Sequence, residues 1–212
     1  MSASLRAQYT GTEAGTVTLT GVVAGDTILV TLRERDGSTM SVSDSLNGAY
    51  TEDVTRAVNA ARTSIFRFSN SAGGNPVLTV SGGTVRDFNA SIWSGVTNGA
   101  PDTTNATGSG SATSLTHGSV TPSATALLIT SLGSTDHGGV TIDPTFTGLN
   151  IDGAATSNRQ AYSYRVGFSG SVNPTHTATA SCAYDAVVAA YLETAGGAGP
   201  SSRFVAKVRR TA

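Results

Sequence analysis

The chain has 212 residues, of which 38% are hydrophobic, 6% are aromatic and only 13% are charged. Its formal net charge is −1. It therefore lacks the excess of basic residues with which proteins neutralise phosphates, and no nucleic-acid partner is expected. Since the sequence has no run of 18 apolar residues and no apolar leader at its start, we expect no membrane segment and synthesis in the cytosol.

The single cysteine, Cys182, excludes a disulfide within the chain. Because Ala and Tyr residues stand close to it, we predict a buried thiol. Aromatic residues are few, so the core has to be built mainly from Val, Ile, Leu and Ala. The remaining composition is rich in Ser, Thr and Gly, which indicates a neutral surface covered with hydroxyl groups.

Short β-rich runs alternate with clusters of Gly, Asn, Asp and Ser, a pattern typical of an antiparallel sandwich. In the first half, the predicted strands are 16–23, 26–35, 39–43, 64–69, 77–81 and 85–93. The second of these (DTILVTLRER) starts apolar and ends in alternating charges, which predicts a core strand leaving the body toward solvent. The Asn47-Gly48 pair predicts a hairpin. Residues 52–62 are the best candidate for a helical turn, with a loop as the alternative.

Residues 94–114 (SGVTNGAPDTTNATGSGSATS) are polar and glycine-rich, which predicts a long exposed loop or a crossover between sheets. The strands predicted after it are 115–120, 126–132, 159–168, 175–181 and 186–193. Of these, ALLITSL and AVVAAYLE are predicted to be central. Tyr162 and Tyr164 share one face of their strand, which indicates core-facing rings, with an exposed binding ridge as the alternative.

The fold predicted from these patterns is all-β, an antiparallel β-sandwich of jelly-roll type with a C-terminal extended arm. We expect an N-terminal arm over residues 1–15, the sandwich domain over 16–193, and a linker with a basic arm over 194–212. Such an arm cannot bury itself alone, so we predict that it binds a partner, for instance by adding a strand to a neighbour's sheet edge. Its candidate partner-binding residues are Arg203, Phe204, Val205, Lys207, Val208, Arg209 and Arg210.

Catalytic, cofactor-binding and metal-binding residues are not predicted. The nearest approach to a nucleophile constellation is Asp136-His137, which we interpret as a turn. His117, His137 and His176 lie far apart without a paired spacing, so a zinc site would have to be assembled entirely by the fold. The aspartates at 136, 143 and 152 are interpreted as solvated turn carboxylates, with binding of a hard cation as the alternative. The sequence therefore predicts a protein that is not an enzyme.

Eight motifs follow one another in a recognisable order. They are GDTILVTL, SVSDSLNGAYT, SIFRFSN, VLTVSGG, NASIWSGV, TGSGSATSLTHGSVTPSATALLIT, AYSYRV and CAYDAVVAAYLE. In this order they resemble a jelly-roll-like β-sandwich family of bacteriophage virion structural proteins, also found in some bacterial surface proteins. The resemblance spans residues 16–193, and its motifs are hydrophobic patterns and turns. Leu46-Asn47-Gly48 stands where the family commonly has Ala-Gly-Asn, and the basic arm lies outside the pattern.

The resemblance implies a non-enzymatic virion protein, most like a capsid decoration (cement) protein that binds the head lattice as an oligomer, with a trimer favoured. Its partners would be the major capsid protein or other virion proteins, and its location the virion, assembled in the host cytoplasm. Two alternatives stay open. One is a glycan- or receptor-binding module of a tail fibre or surface adhesin, with residues 94–114 as the contact surface. The other is a tail or head-completion structural protein.

Overall fold

The computed structural model describes residues 1–12, 15–58, 61–83, 85–135, 139–151 and 159–195. Within these residues the fold is all-β and the strands pair in antiparallel fashion, which confirms the predicted antiparallel β-sandwich. The strands are β1 (Ser4–Thr12), β2 (Gly15–Thr18), β3 (Thr27–Glu34), β4 (Ser41–Asp44), β5 (Gly48–Ala49), β6 (Thr51–Val58), β7 (Ala61–Phe68), β8 (Val77–Ser81), β9 (Val85–Ser94), β10 (Thr103–Thr116), β11 (Ala126–Ser134), β12 (Val140–Thr141), β13 (Thr147–Ile151), β14 (Arg159–Phe168) and β15 (Thr175–Leu192).

The described strands form three sheets. The N-terminal sheet has the order β1-β9-β3-β7-β6, and the small sheet has the order β2-β8-β4-β5. The C-terminal sheet has the order β10-β15-β11-β14-β13, and β12 pairs with β15. Below, β1–β9 are called the N-terminal half and β10–β15 the C-terminal half.

Strand β3 is buried along its whole length because it is covered on both faces. Side chains of successive residues in a strand point to opposite faces. Ile28 and Val30 accordingly pack with Leu78 of the small sheet. Leu29 points the other way and packs in a cluster with Ile129 of the C-terminal sheet. The N-terminal sheet is therefore the layer between the small sheet and the C-terminal half.

The two halves repeat one strand arrangement at an offset of 98 residues. The strand orders correspond position by position, with β10 in place of β1, β15 in place of β9 and β11 in place of β3. The dipeptide Asn75-Pro76 recurs as Asn173-Pro174. Bridge pairs repeat with the same offset: Val17↔Leu78 with Leu115↔His176, Val42↔Val80 with Val140↔Ala178, and Val22↔Gly74 with Val120↔Val172.

A glycine pair explains one difference between the halves. Between β8 and β9, Gly82 and Gly83 have φ angles of 89° and 58°, a region that residues with a side chain rarely adopt. A Cβ on Gly82 would also lie 2.4 Å from the carbonyl oxygen of Thr39. Ala180 and Ser181 stand 98 positions later, and there the chain continues straight through as the single strand β15.

Two segments depart from their predicted structure. Residues Ser4–Thr12, expected in an arm before the sandwich, form β1 and pair with β9. The segment 52–62, expected to be a helical turn or a loop, contributes β6 and the start of β7, which pair with each other. Its side chains are mostly half-buried or exposed, because β6 lies at a sheet edge. This explains why its apolar pattern is weak.

The prediction of a loop or a crossover between sheets over residues 94–114 is also wrong for most of its length. Residues Thr103–Thr116 form β10, an edge strand paired with β15. An edge strand of this kind needs little apolar surface, and Leu115 is the only fully buried residue of β10. A Cβ on Gly108 would lie 2.7 Å from the carbonyl oxygen of Tyr184. The glycine that suggested a loop thus permits close approach of two strands.

The hairpin predicted at Asn47-Gly48 is confirmed, with Asp44 paired to Gly48 between β4 and β5. The carboxylate of Asp44 stabilises this hairpin through hydrogen bonds. One carboxylate oxygen accepts hydrogen bonds from the main-chain nitrogens of Leu46 (2.8 Å) and Asn47 (2.6 Å). The other accepts from the Asn47 side chain (2.7 Å) and the Tyr50 hydroxyl (2.7 Å).

Replacing Tyr50 by Phe should lower the free energy of unfolding at pH 7 by about 1.5–3 kcal/mol, as expected for a hydrogen bond to a charged group. Burial alone would raise the pKa of Asp44, but hydrogen bonds from Asn47, Tyr50 and Leu46 hold that pKa below its usual value. Stability from the ionised carboxylate is present above about pH 4 and is lost as the pH falls through the folded pKa. Urea unfolding should therefore show a smaller difference from wild type at about pH 2–3.

Tyr9 provides the matched control for this experiment. Its hydroxyl donates to the carbonyl oxygen of Thr20 (2.7 Å) and accepts from the Thr20 nitrogen (2.8 Å), both neutral groups. Tyr9→Phe should cost about 0.5–1.5 kcal/mol with no pH dependence in this range. Equal losses with equal pH dependence in both variants would contradict the role given to Asp44.

Candidate functional site

The predicted partner-binding residues lie outside the described part of the chain. They are Arg203, Phe204, Val205, Lys207, Val208, Arg209 and Arg210. Asp136, His137 and Asp152 also lie outside it. The last described residue is Ala195, which lies within the predicted linker that starts at residue 194.

The arm begins where both halves and the first residue of the chain meet. Glu193 forms a bridge with Val96. The Thr194 nitrogen donates to the carbonyl oxygen of Gly95 (2.8 Å), and the Met1 nitrogen donates to that of Thr194 (2.5 Å). We call this end of the molecule, comprising Met1, Gly95, Val96, Glu193 and Thr194, the terminal pole.

Two open grooves flank the terminal pole and share Met1 and Thr194. One has a volume of about 470 Å³ and is also lined by Thr125, Gly167 and Glu193. The Glu193 carboxylate accepts a hydrogen bond from the Gly167 nitrogen (2.7 Å). The other groove, of about 350 Å³, contains the ion pair between Arg6 and Asp26, whose Nε and Oδ1 atoms are 2.9 Å apart.

Charge is divided unevenly between the body and the arm. Residues 1–195 contain nine arginines and fourteen acidic residues, whereas residues 196–212 contain three arginines, one lysine and no acidic residue. The body is therefore net acidic and the arm net basic. An exposed basic segment is attracted to acidic surfaces within about a Debye length, roughly 8–10 Å at physiological salt.

Polar side chains connect the two halves across the buried face between the two large sheets. Arg33 Nη2 lies 3.2 Å from Asp185 Oδ1, and Arg33 Nη1 donates to the carbonyl oxygen of Ser134 (3.1 Å). The Thr63 hydroxyl donates to the second oxygen of Asp185. Because Arg33 is 1% exposed, the expectation that its strand leaves the body toward solvent is wrong. Of the charges at that strand end, Arg33 and Glu34 are buried and Arg35 is half-buried.

A second polar connection joins β6, β7 and β15. The Tyr191 hydroxyl donates to Asp53 Oδ2 (2.8 Å), and the same carboxylate accepts from Arg67 Nε (2.9 Å). Burial raises the pKa of Tyr191 well above its usual value, and the negative charge of Asp53 raises it further. Asp53, Arg67 and Tyr191 thus form a second polar link between the halves.

The structure brings His117 and His176 together, which the sequence did not predict. Their ring centroids are 4.5 Å apart at an interplanar angle of 64°, and both residues are fully buried. His117 Nδ1 lies 3.0 Å from the carbonyl oxygen of Pro174, which only accepts, so this nitrogen carries the proton. His176 Nδ1 accepts from the Asp143 nitrogen (3.2 Å). An accepting Nδ1 belongs to the neutral form of His176.

Burial keeps both rings in this neutral form. It lowers the pKa of His176 to about 4, although the carboxylate of Asp143 acts in the opposite direction. Burial also lowers the pKa of His117 well below its usual value, and the neighbouring His176 lowers it further. We call these two residues the histidine pair. The internal repeat was the one sequence signal that places both histidines in the core.

Other predictions about side chains are confirmed. Cys182 is buried. Tyr162 is fully buried, and its hydroxyl donates to the carbonyl oxygen of Asp87 (3.0 Å) across the two halves. Tyr164 lies edge-on to Trp93, with ring centroids 5.0 Å apart. The tyrosines therefore belong to the core rather than to an exposed ridge.

Among the residues that the structure describes, no three His, Cys, Asp or Glu side chains are grouped as a metal site. None of the described segments is a helix of the length and apolarity needed to cross a membrane. No family model, curated protein or solved structure matches the chain.

Proposed function

We propose that this chain is a non-enzymatic structural protein of a bacteriophage particle, and specifically a decoration protein that binds the head lattice as an oligomer. The motif order from GDTILVTL to CAYDAVVAAYLE, with its resemblance to virion sandwich proteins, supports this proposal. The partners are the major capsid protein or other virion proteins, and the location is the virion. A closed cyclic oligomer, with a trimer favoured, suits a symmetric lattice.

The division of the chain into an acidic body and a basic arm is the observation on which the proposal depends. The halves share one core cluster, and the buried Arg33–Asp185 pair also joins them. The predicted arm follows the terminal pole in the sequence and supplies the opposite charge and three large apolar side chains, Phe204, Val205 and Val208. A folded body with a partner-binding arm is suited to a component of a lattice.

The alternative of a glycan-binding module depended on an exposed loop over residues 94–114. Most of that segment is the paired strand β10, and only the stretch before Thr103 is outside a strand. The arm is therefore the better candidate for the contact surface.

Deletion of residues 196–212 should abolish binding to heads purified from the phage that encodes the chain. The melting temperature of the truncated chain, measured in parallel, checks that a loss of binding is not a loss of folding. Co-sedimentation measures binding, and size-exclusion chromatography with light scattering measures the oligomeric state. A full-length chain that is strictly monomeric and does not co-sediment with heads would refute the proposal.

Two matched arm variants separate charge from apolar contact. One replaces Arg203, Lys207, Arg209 and Arg210 by Ser, and the other replaces Phe204, Val205 and Val208 by Ser. If charge dominates, the first variant loses binding and wild-type binding weakens as salt rises. If strand addition dominates, the second variant loses binding. Cryo-electron microscopy of intact particles then locates the chain on head, tail or fibre.

A further inference from the structure

The internal repeat shows which side chains the fold accepts at the positions of the histidine pair. In the N-terminal half these positions hold Leu19 and Leu78, both fully buried. The local backbone is the same in both halves. The Leu19 nitrogen donates to the carbonyl oxygen of Pro76 at 2.9 Å, and the His117 nitrogen donates to that of Pro174 at 2.9 Å. Leucines satisfy this fold, so ionisable rings are not needed to form it.

The hydrogen bonds around the rings fit only their neutral forms. His117 Nε2 has no hydrogen-bond partner among the described residues, so a proton there would place a charge in the core without a partner. A proton on His176 Nδ1 would remove the acceptor used by the Asp143 nitrogen. Protonation of both rings would place two cations side by side. Each of these steps favours opening of the structure.

The charged group that interacts with both rings is Asp143, in the segment after β12. Its oxygens already accept hydrogen bonds from Thr145 and from the Thr175 nitrogen (3.2 Å). From β14, the Ser163 hydroxyl lies 3.5 Å from His176 Nε2. From β15, the titratable neighbour Tyr184 directs its hydroxyl to Thr116 on β10. One carboxylate with its hydrogen bonds already made does not replace the lost hydration of an imidazolium.

We propose that the histidine pair is a pH switch. Below about pH 6 its protonation destabilises the C-terminal half of the sandwich, whereas the N-terminal half, with Leu19 and Leu78 at the same positions, stays folded. The proposal is independent of the assembly in which the protein acts. It makes two halves of the same architecture respond differently to acid. In an assembled particle, the C-terminal half of each subunit would open before the N-terminal half.

The direction of the pH effect follows from linkage. Unfolded histidine titrates near pH 6.5, and the folded values lie below it, with that of His176 at about 4. The open state therefore binds more protons than the closed state across this window. The stabilisation is complete above about pH 6.5 and is lost as the pH falls toward 4. Each histidine raises the open population by up to about tenfold per pH unit.

The test uses the full-length chain and the double variant His117→Leu/His176→Leu, which copies the N-terminal half. Hydrogen exchange, corrected for intrinsic rates, is followed at pH 7 and pH 5. In wild type, amides of β12 and the start of β15 should open at least about tenfold more often at pH 5, while those of β4 and β8 change little. In the double variant the two halves should respond alike.

The comparison with the variant matters because Glu34 titrates in the same window with the opposite sign. Burial raises the pKa of Glu34 to about 6, and a hydrogen bond with Asp36 raises it further. Its contribution to stability is therefore present below about pH 4.5 and is lost as the pH rises through 6. Glu34 is in the N-terminal half and is unchanged in the variant, so its effect cancels in the difference.

Nuclear magnetic resonance of wild type with ¹⁵N-labelled histidine gives a second readout that does not require the variant to fold. Both rings should stay neutral at pH 6, with the proton of His117 on Nδ1. If His117 and His176 titrate near pH 6.5 without loss of structure, the proposal is wrong. It is also wrong if the double variant keeps the wild-type acid response in β12 and β15.

Discussion

Replacement of Asp185 by Ala should lower the free energy of unfolding by about 3–5 kcal/mol, because breaking a buried ion pair leaves the remaining charge without compensation. The remaining charge would be Arg33, whose side chain is 1% exposed like that of Asp185. Thr63 would also lose the carboxylate that accepts from its hydroxyl. Urea unfolding at pH 7 measures the loss.

The double variant Arg33→Met/Asp185→Leu should recover most of that loss. Replacing a buried ion pair by apolar residues of similar volume is often neutral or stabilising. Met suits the position because Arg33 covers Gly133, where a Cβ would lie 2.1 Å from Arg33 Nε. The flexible methionine chain keeps this cover. A double variant that is as unstable as Asp185→Ala would show that the pair itself, rather than the orphaned charge, determines stability.

The difference in the free energy of unfolding between wild type and the double variant should also depend on pH. Burial raises the pKa of Asp185, and the positive charge of Arg33 opposes this shift. Because the folded pKa lies above the unfolded one, ionisation of Asp185 works against folding as the pH rises. The double variant lacks this carboxyl group. It should therefore gain stability relative to wild type as the pH is raised from about 4.

Sequence patterns located the strands wherever one or both faces are apolar. The predicted run 77–81 coincides with β8 and the run 159–168 with β14. Both β3 and β11 are buried along their whole length, and each contains a short apolar run, ILV in β3 and ALLI in β11. These runs were enough to find both strands, but they did not predict that Arg33 and Glu34 at the end of β3 are buried.

The same reasoning fails at sheet edges. Strands β6 and β10 have only one neighbouring strand in their sheets, so few of their side chains are buried and their sequences look like loops. β10 is stabilised by its ladder with β15 and by close approach at Gly108. Neither feature can be predicted from hydrophobic periodicity, which indicates only which face of a strand is buried.

The histidine pair could have been found only through the internal repeat. His117 and His176 are 59 residues apart and share no motif, so metal-ligand spacing rules overlook them. Aligning Asn75-Pro76 with Asn173-Pro174 places His176 on the buried position of Leu78. The alignment is weak because few residues are identical. It becomes evident only when the bridge pairs are compared.

The second large effect is expected at Trp93, the only tryptophan of the chain. Trp93→Ala should cost about 3–5 kcal/mol, the usual range for removing a buried large aromatic ring. The ring is fully buried in the cluster shared by both halves, and its Nε1 donates to the Ser91 hydroxyl (2.8 Å). Circular dichroism during urea unfolding measures the loss without relying on tryptophan fluorescence.

Phe88→Ala is the matched control, since Phe88 lies on the same strand but packs in the cluster between the N-terminal sheet and the small sheet. Its cost should also be about 3–5 kcal/mol, but the location of the damage should differ. After Trp93→Ala, hydrogen exchange should rise in both β3 and β11, because the cavity lies between the halves. After Phe88→Ala it should rise in β3 and β8 and leave β11 protected. A Trp93→Ala variant in which β11 keeps its protection would mean that the two halves are held together mainly by their polar connections, with Arg33–Asp185 foremost among them.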